Sequence, residues 1–170
     1  MWNKGQDSEE GRHAKKAAAR VTTDVLMAKM RAAQVTREDI VRWMHLPFFE
    51  EIMTGMYFRW HFEPEKKKYR VMEVRDIIPW KRTYQVPGAG RKPQAVKKGF
   101  TALYGKTPYK LSFERISNSA FEEEEIRRWR AMIEQDRIRE PSVTELEENA
   151  QRLVDQRAHI LTAVHLLFPF

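Results

Sequence analysis

The chain has 170 residues, a formal net charge of +7 and no cysteine. This length suffices for one domain with a substantial core. The absence of cysteine excludes disulfides, thiolate catalysis and cysteine-type zinc sites. The apolar stretch at residues 160–170 is about half as long as a bilayer-spanning helix requires, so we expect it to belong to a terminal helix and expect no membrane partner.

The basic residues are concentrated in the middle of the chain. Residues 53–116 contain fifteen Lys and Arg against five Asp and Glu, whereas residues 117–170 contain seven against eleven. A basic segment of this kind suits phosphate groups, on a nucleic acid or on a phosphorylated peptide. The alternative is that the charges only keep the edges of a sheet soluble and unpaired.

The N-terminal part is predicted to be helical after a polar start. We expect residues 1–13 to be disordered because they are polar, and helices to occupy residues 14–46. Strong helix formers fill the first part of that range. Thr36 and, three residues later, Asp39 form a capping-box pattern that begins a second, short helix. Pro47 ends it.

Over residues 53–116 the apolar residues alternate with polar ones, which indicates strands. Five strands are predicted from this pattern, at Tyr57–Phe62, Tyr69–Val74, Lys81–Val86, Phe100–Tyr104 and Tyr109–Ile116. Pro87–Gly90 is typical of a chain reversal. Several short strands with basic loops predict a small β-barrel or a strongly bent sheet.

Helices are predicted again over residues 119–166. Ser119 with Glu122 has the spacing of a capping box and marks one helix start. The final helix is predicted to begin at Ser142–Glu145, after Pro141. The predicted fold class is therefore α+β: a small β-barrel or bent sheet, braced by N- and C-terminal helices. We expect residues 14–170 to form a single domain.

The sequence gives no support for catalysis. The five histidines are scattered without metal-ligand spacing, and no nucleophile elbow, phosphate-binding loop or dinucleotide fingerprint occurs. The acidic block Glu122–Glu125 is explained by its position at a helix start, where negative charge is favoured, without a catalytic role. We therefore expect a protein that is not an enzyme, with no catalytic residue, no cofactor and no metal site.

Basic residues next to aromatic ones are the candidates for binding. Arg59 lies between two aromatic residues, Arg70 follows Tyr69, and Lys110 follows Tyr109. The planar fork of arginine matches two phosphate oxygens. For any one residue the alternative is the solvent face of an amphipathic strand. Together they predict a phosphate cradle, with an exposed aromatic ring against a base or a peptide residue.

At these residues the chain resembles the Plus-three domain, and the similarity runs through blocks in the same order from about residue 35 to residue 132. The blocks are His45-Leu46-Pro47-Phe48-Phe49, Thr54-Gly55 with Phe58-Arg59, Tyr69-Arg70-Val71 with Glu73-Val74, Tyr84-Gln85-Val86, and Ile116-Ser117-Asn118 leading into Phe121 and Trp129. The resemblance implies a Tudor-like β-subdomain braced by helices from both flanks.

The resemblance also implies a nuclear function in transcription elongation. Such domains bind phosphorylated C-terminal repeats of the large subunit of the DSIF-type elongation factor, and so attach the Paf (polymerase-associated factor) complex to RNA polymerase II. The expected partners are these repeats, other Paf subunits and the polymerase machinery. Two alternatives remain: a module that binds single-stranded DNA or RNA in the same basic groove, and a structural protein-interaction domain.

The resemblance assigns the phosphate to Arg42, Arg59 and a third basic residue, either Lys110 or Arg115. Arg70 joins these candidates from the aromatic pattern. An apolar pocket for the neighbouring peptide residue is expected from Tyr84, Phe113 and Ile116. The chain departs from the usual pattern in its Lys-rich loop, which favours nucleic acid. The candidate nucleic-acid ligands are Lys81, Arg82, Arg91, Lys92, Lys97 and Lys98.

Overall fold

A computed structural model describes residues 20–88 and 91–167, with the side chains of Arg91 and of residues 160–167 excepted. The elements are, in chain order, α1 (Thr23–Ala32), β1 (Gln34–Val35), α2 (Arg37–Trp43), α3 (Phe49–Met53), β2 (Tyr57–Glu63), β3 (Lys68–Gly88), β4 (Arg91–Tyr104), β5 (Thr107–Leu111), α4 (Glu123–Gln135) and α5 (Val143–Leu167). Short 3₁₀ turns occupy Pro64–Lys66 and Phe113–Arg115. The expected disordered segment 1–13 and the start of the first expected helix lie outside the described residues.

The sheet has five strands in the order β1-β2-β3-β4-β5 and is not closed into a barrel. β1 runs parallel to β2, and the other neighbours are antiparallel. Register shifts interrupt β2 against β3 and, three times, β3 against β4. Such bulges bend strands and increase their twist. The predicted α+β class is confirmed, as a bent sheet with helices on its flanks rather than as a barrel.

The two central strands are longer than the sequence pattern predicted. The strands predicted at Tyr69–Val74 and Lys81–Val86 are one continuous strand, β3, and β4 begins nine residues before the predicted Phe100. The reason lies in the register shift between Pro79 and Tyr84. A bulge adds residues on one strand, which breaks the alternation by which a strand is recognised. The two strands form a long hairpin, closed where Gly88 pairs with Arg91.

The last predicted strand, Tyr109–Ile116, is too long. β5 ends at Leu111, and a 3₁₀ turn at Phe113–Arg115 follows. This turn carries the fully buried Phe113 into the core, where its ring centroid lies 4.6 Å from that of Phe100. Burial of Phe113 thus replaces continued strand pairing. Phe58 packs against Phe100 as well, at 5.6 Å, so these aromatic rings form the centre of the core.

Of the two predicted capping boxes, the one at Thr36 is confirmed, and a further box begins α5. Around α2, Thr36 Oγ1 accepts from the backbone N–H of Asp39, and the Asp39 carboxylate accepts from that of Thr36, both at 3.2 Å. Ser142 and Glu145 make the same reciprocal bonds at the start of α5, at 3.0 and 3.1 Å. Each pair satisfies backbone donors that a helix start leaves free.

The other predicted capping box is shifted by three residues. The predicted pair was Ser119 with Glu122, but α4 begins at Glu123, and its box is formed by Glu122 and Glu125. The chain between Ser119 and Glu122 is not helical, and its polar groups bond elsewhere: the backbone N–H of Phe121 donates to Gln34 Oε1 at 3.0 Å. None of the described helices is both long and apolar enough to cross a membrane.

Candidate phosphate-binding residues

Arg59 is buried in an ion pair. It lies in β2, and its Nε and one terminal nitrogen each lie 2.7 Å from an oxygen of Glu125 in α4. The two side chains are 7 % and 5 % exposed. A third bond of 3.2 Å reaches the Ser117 hydroxyl, and the guanidinium carbon lies 3.6 Å from the centroid of the Tyr69 ring. A phosphate would have to displace Glu125 to bind this guanidinium, so a phosphate-binding role of Arg59 stays a prediction.

The electrostatics of Arg59 follow from this pairing. Burial by itself would lower the pKa of Arg59, because it disfavours the charged form. The hydrogen bond to Glu125 and the charges of Glu125 and Glu122 outweigh burial, so the pKa lies above its usual range. The cation is therefore permanent, and its place in the interior depends on the carboxylate beside it.

Arg70 has a different environment, formed by aromatic rings. Its guanidinium carbon lies 3.9 Å from the centroid of the Phe62 ring and 4.5 Å from that of Tyr104. One terminal nitrogen donates to the Tyr109 hydroxyl at 3.3 Å. Trp60 borders this group, with its ring centroid 5.8 Å from that of Tyr109. Arg70 is thus held by stacking and cation–π attraction and has no carboxylate partner within the described residues.

The register places the two arginines on opposite faces of the sheet. Arg59 pairs with Val71, whereas Arg70 pairs with Trp60. Directly opposed residues share a face, and successive residues alternate. Lys110 is next to Tyr109, which contacts Arg70, so Lys110 faces away from Arg70. The structure therefore does not bring Arg59, Arg70 and Lys110 into one cradle.

The other phosphate candidates are exposed. Arg42, in the last turn of α2, forms an ion pair with Glu38 one turn earlier. Lys110, paired with Thr101 across the sheet, and Arg115, in the 3₁₀ turn, have exposed side chains without an ion pair to any described residue. Lys110 and Arg115 are free to contact a ligand, whereas Arg42 is exposed but paired with Glu38. The assignment of all three to phosphate stays a prediction.

The expected apolar pocket is largely part of the core. Phe113 and Ile116 have no exposed surface. Tyr84 is half-buried; its hydroxyl donates to the carbonyl of Lys98 and accepts from the backbone N–H of Phe113 at 3.0 Å. Burial raises the pKa of Tyr84 to about 12, so the phenol stays neutral. Of the three, Tyr84 alone presents surface that a ligand could touch, and the pocket stays a prediction.

The candidate nucleic-acid ligands follow the long hairpin of β3 and β4. The side chains of Lys81, Arg82, Lys92 and Lys97 are exposed and form no ion pair within the described part of the chain. Lys98 is different, because it is half-buried, its Nζ donates to the carbonyl of Met44, and it lies 5.5 Å from the centroid of the Phe49 ring. Lys98 therefore ties the hairpin to the helical flank. The side chain of Arg91 lies outside the described residues.

Sequence reasoning missed the partners of these cations. Glu125 was assigned to the helix start alone, and the aromatic residues around Arg70 were assigned to separate strands. The sequence did indicate a counter-ion for Arg59, since an arginine between aromatic residues of an inward-facing strand requires a buried carboxylate. It did not indicate the aromatic surroundings of Arg70, because the rings of Phe62, Tyr104 and Tyr109 meet only when three strands pair.

The described residues contain no group of three or more side chains that could hold a metal ion. An open sheet braced by helices, with exposed cations on a hairpin and one arginine stacked among aromatic rings, defines an interaction domain. A family model described as the Plus-3 domain matches residues 29–134. The chain belongs to the Plus-3 domain family, whose members are non-catalytic interaction modules associated with transcription.

Proposed function

We propose that this protein is a nuclear transcription elongation adaptor, which binds phosphorylated C-terminal repeats of the DSIF-type elongation factor and so helps to attach the Paf complex to RNA polymerase II. The observation that carries the proposal is the environment of Arg70. Membership of the Plus-3 family supports the transcriptional setting, and the chemistry of Arg70 supports phosphate as the recognised group.

Arg70 is suited to phosphate because it is a fixed, unneutralised cation. Stacking between Phe62 and Tyr104 immobilises the planar guanidinium, and one of its donors is used by Tyr109. The other guanidinium nitrogens have no hydrogen-bond partner within the described residues and are not cut off from solvent. A pre-oriented fork of this kind binds two phosphate oxygens with little loss of conformational freedom.

The aromatic border gives a place for the peptide beside the phosphate. Trp60, Phe62 and Tyr109 are half-buried around Arg70, so each keeps an accessible part of its ring. Aromatic rings bind peptide side chains through apolar area at a low cost in conformational entropy. Trp60 is on the same face as Arg70 and directly opposite it, so a phosphorylated residue at Arg70 would have its neighbour against this ring.

The test is a titration with a peptide of two such repeats, with and without phosphate on its serine or threonine. Phosphorylation should raise the affinity about ten- to a hundredfold, as expected for hydrogen bonds between charged groups. In Arg70→Gln the two peptides should bind equally. Arg75→Gln is the matched control, because Arg75 is an exposed arginine of the same strand whose partner is the exposed Asp76. Equal affinity of the unaltered protein for both peptides would refute the proposal.

A second candidate function is the binding of single-stranded nucleic acid. The observation that favours it is the row of unpaired cations along the hairpin, Lys81, Arg82, Lys92 and Lys97. Affinity for an oligonucleotide should then fall steeply with salt, because bound phosphates release counter-ions. Lys92→Gln with Lys97→Gln should flatten that salt dependence and leave peptide binding unchanged. A flat salt response in the unaltered protein would rule this function out and leave a purely structural interaction domain if the peptides also fail to bind.

A further inference from the structure

A cavity of about 350 Å³ lies away from Arg70 and from the basic hairpin, where the sheet meets α4, α5 and the loop between them. Cavities of this size are large enough for a small ligand or a single long side chain. Part of its wall is apolar, formed by Leu103 of β4 with Trp129 and Ile133 of α4, and other parts are polar. Nothing in the proposed phosphopeptide site uses this space.

The hydroxyl of Tyr57 is open to this cavity and has no protein partner within the described residues. Its side chain lines the cavity, is 8 % exposed, and packs edge-on against Trp129 with ring centroids 5.6 Å apart. Its hydroxyl forms no hydrogen bond to any described residue. The oxygen is not cut off from solvent, so a ligand in the cavity can reach it. Burial raises the pKa of Tyr57 well above its usual range, so the hydroxyl stays neutral and can accept a hydrogen bond.

Glu73 lies directly opposite Tyr57 in the β2–β3 register and lines the same cavity. Its carboxyl group has neither a hydrogen bond nor an ion pair with the described residues, and burial raises its pKa. Glu73 is half-buried, and its oxygens are not cut off from solvent. The hydroxyl and the carboxylate are therefore neighbouring acceptors, both without a partner among the described residues and both open to the same space.

The rim of the cavity adds negative charge. Arg139 and Glu145 neutralise each other through a contact of 2.6 Å. Glu148, one turn further along α5, lines the cavity without an ion pair to the described residues. Because Arg139 and Glu145 neutralise each other, Glu73 and Glu148 give the cavity lining a negative net charge, although the chain has a formal net charge of +7. The complementary occupant is a cation.

We propose that this cavity binds the side chain of a lysine from a partner protein. Its ammonium group has three donors, which would reach the Glu73 carboxylate and the Tyr57 hydroxyl, while its aliphatic stem would lie along Leu103 and Ile133. We assign lysine rather than arginine because a compact ammonium group can donate to a hydroxyl and to a carboxylate at once. The inference does not depend on the proposed phosphopeptide function.

The experiment is an NMR titration of the ¹⁵N-labelled full chain with an acetylated, amidated Gly-Lys-Gly peptide. We expect saturable shifts of the Trp129 indole N–H and of the Gly105 amide, which both border the cavity. The same peptide with norleucine in place of lysine removes the charge and keeps the stem, and should bind at least tenfold more weakly. An arginine version that bound more tightly than the lysine version would overturn the assignment to lysine.

Substitutions of the lining residues test whether the lysine peptide binds in this cavity. Glu73→Gln should weaken the lysine peptide at least tenfold, and Tyr57→Phe, which removes only the hydroxyl, should weaken it as well. Glu147→Gln is the control, because Glu147 lies on α5 beside the cavity but pairs with Lys29 instead. Shifts that do not saturate, that are equal for lysine and norleucine, or that persist in both Glu73→Gln and Tyr57→Phe would refute the proposal.

Discussion

The ion pair between Arg59 and Glu125 predicts a large and asymmetric effect on stability. Both side chains are nearly buried, so removing one leaves the other as an uncompensated charge in the interior. Arg59→Ala and Glu125→Ala should each lower the free energy of unfolding by about 3–5 kcal/mol, the usual cost of breaking a buried pair. That is a large share of a domain's total stability, which is typically about 5–15 kcal/mol.

The structure indicates which variant should lose more. Without Glu125, the Arg59 guanidinium keeps the Ser117 hydroxyl, the face of the Tyr69 ring and a longer contact of 3.8 Å to the exposed carboxylate of Glu122. Without Arg59, the Glu125 carboxylate still accepts from the backbone N–H of Glu122 at 3.2 Å and lies in the first turn of α4, where negative charge is favoured. Glu125→Ala should therefore be the more damaging substitution.

Urea denaturation measures the effect. With a slope of about 2 kcal/mol/M, a loss of about 4 kcal/mol moves the midpoint by about 2 M. The double variant Arg59→Met with Glu125→Leu should lose much less than the sum of the single variants, because no charge is left buried. Arg127→Ala is the control, since it removes an ion pair to Glu123 on the same helix whose members are 59 % and 49 % exposed, and it should change the midpoint little. Small, additive losses in the single and double variants would refute the reasoning.

Two further predictions concern a turn and a histidine. Gly105 has φ +60°, and an added Cβ would lie 2.1 Å from an oxygen of Asp136. Gly105→Ala should therefore lower the free energy of unfolding by about 1–3 kcal/mol. The same urea assay measures this loss. His61 has a pKa below its usual 6.5, through burial and the charges of Arg115 and Arg59. Its unfolded form therefore binds a proton more readily, so stability should fall as the pH drops through about 6.5. His61→Gln should make the loss between pH 7.5 and 5.5 smaller, and an unchanged loss would show that other groups cause it.

Features that depend on neighbouring residues could be predicted from the sequence. The capping box at Thr36 was recognised because its donors and acceptors are three residues apart, and the helix start at Ser142 was recognised after Pro141. The α+β class followed from the change of apolar period between the helical flanks and the middle. The Ser119 box failed because Phe121 bonds to Gln34, which is 87 residues away in the chain.

The site was predictable only in its residue types. The sequence identified the arginines but gave no measure of their burial, and Arg59 and Arg70 have opposite environments although both follow an aromatic residue. What separates them is the strand register, which puts Arg59 against α4 and Arg70 among Phe62, Tyr104 and Tyr109. Register depends on bulges such as the one between His61 and Glu63, and these leave no clear trace in the alternation of residues.

The buried pair also has a consequence for how the molecule folds. Arg59 and Glu125 are separated by 66 residues in the chain. The Arg59 guanidinium can therefore be buried with its counter-ion only after α4 has packed against the sheet. In a state with an intact sheet and a detached α4, the Arg59 guanidinium would lack its carboxylate partner. Such a state is therefore unfavourable. Amide protons of β2 and α4 should therefore exchange with solvent through a common opening event and with similar free energies. By the same reasoning, a shortened chain that ends before Glu122 should fail to hold a stable sheet.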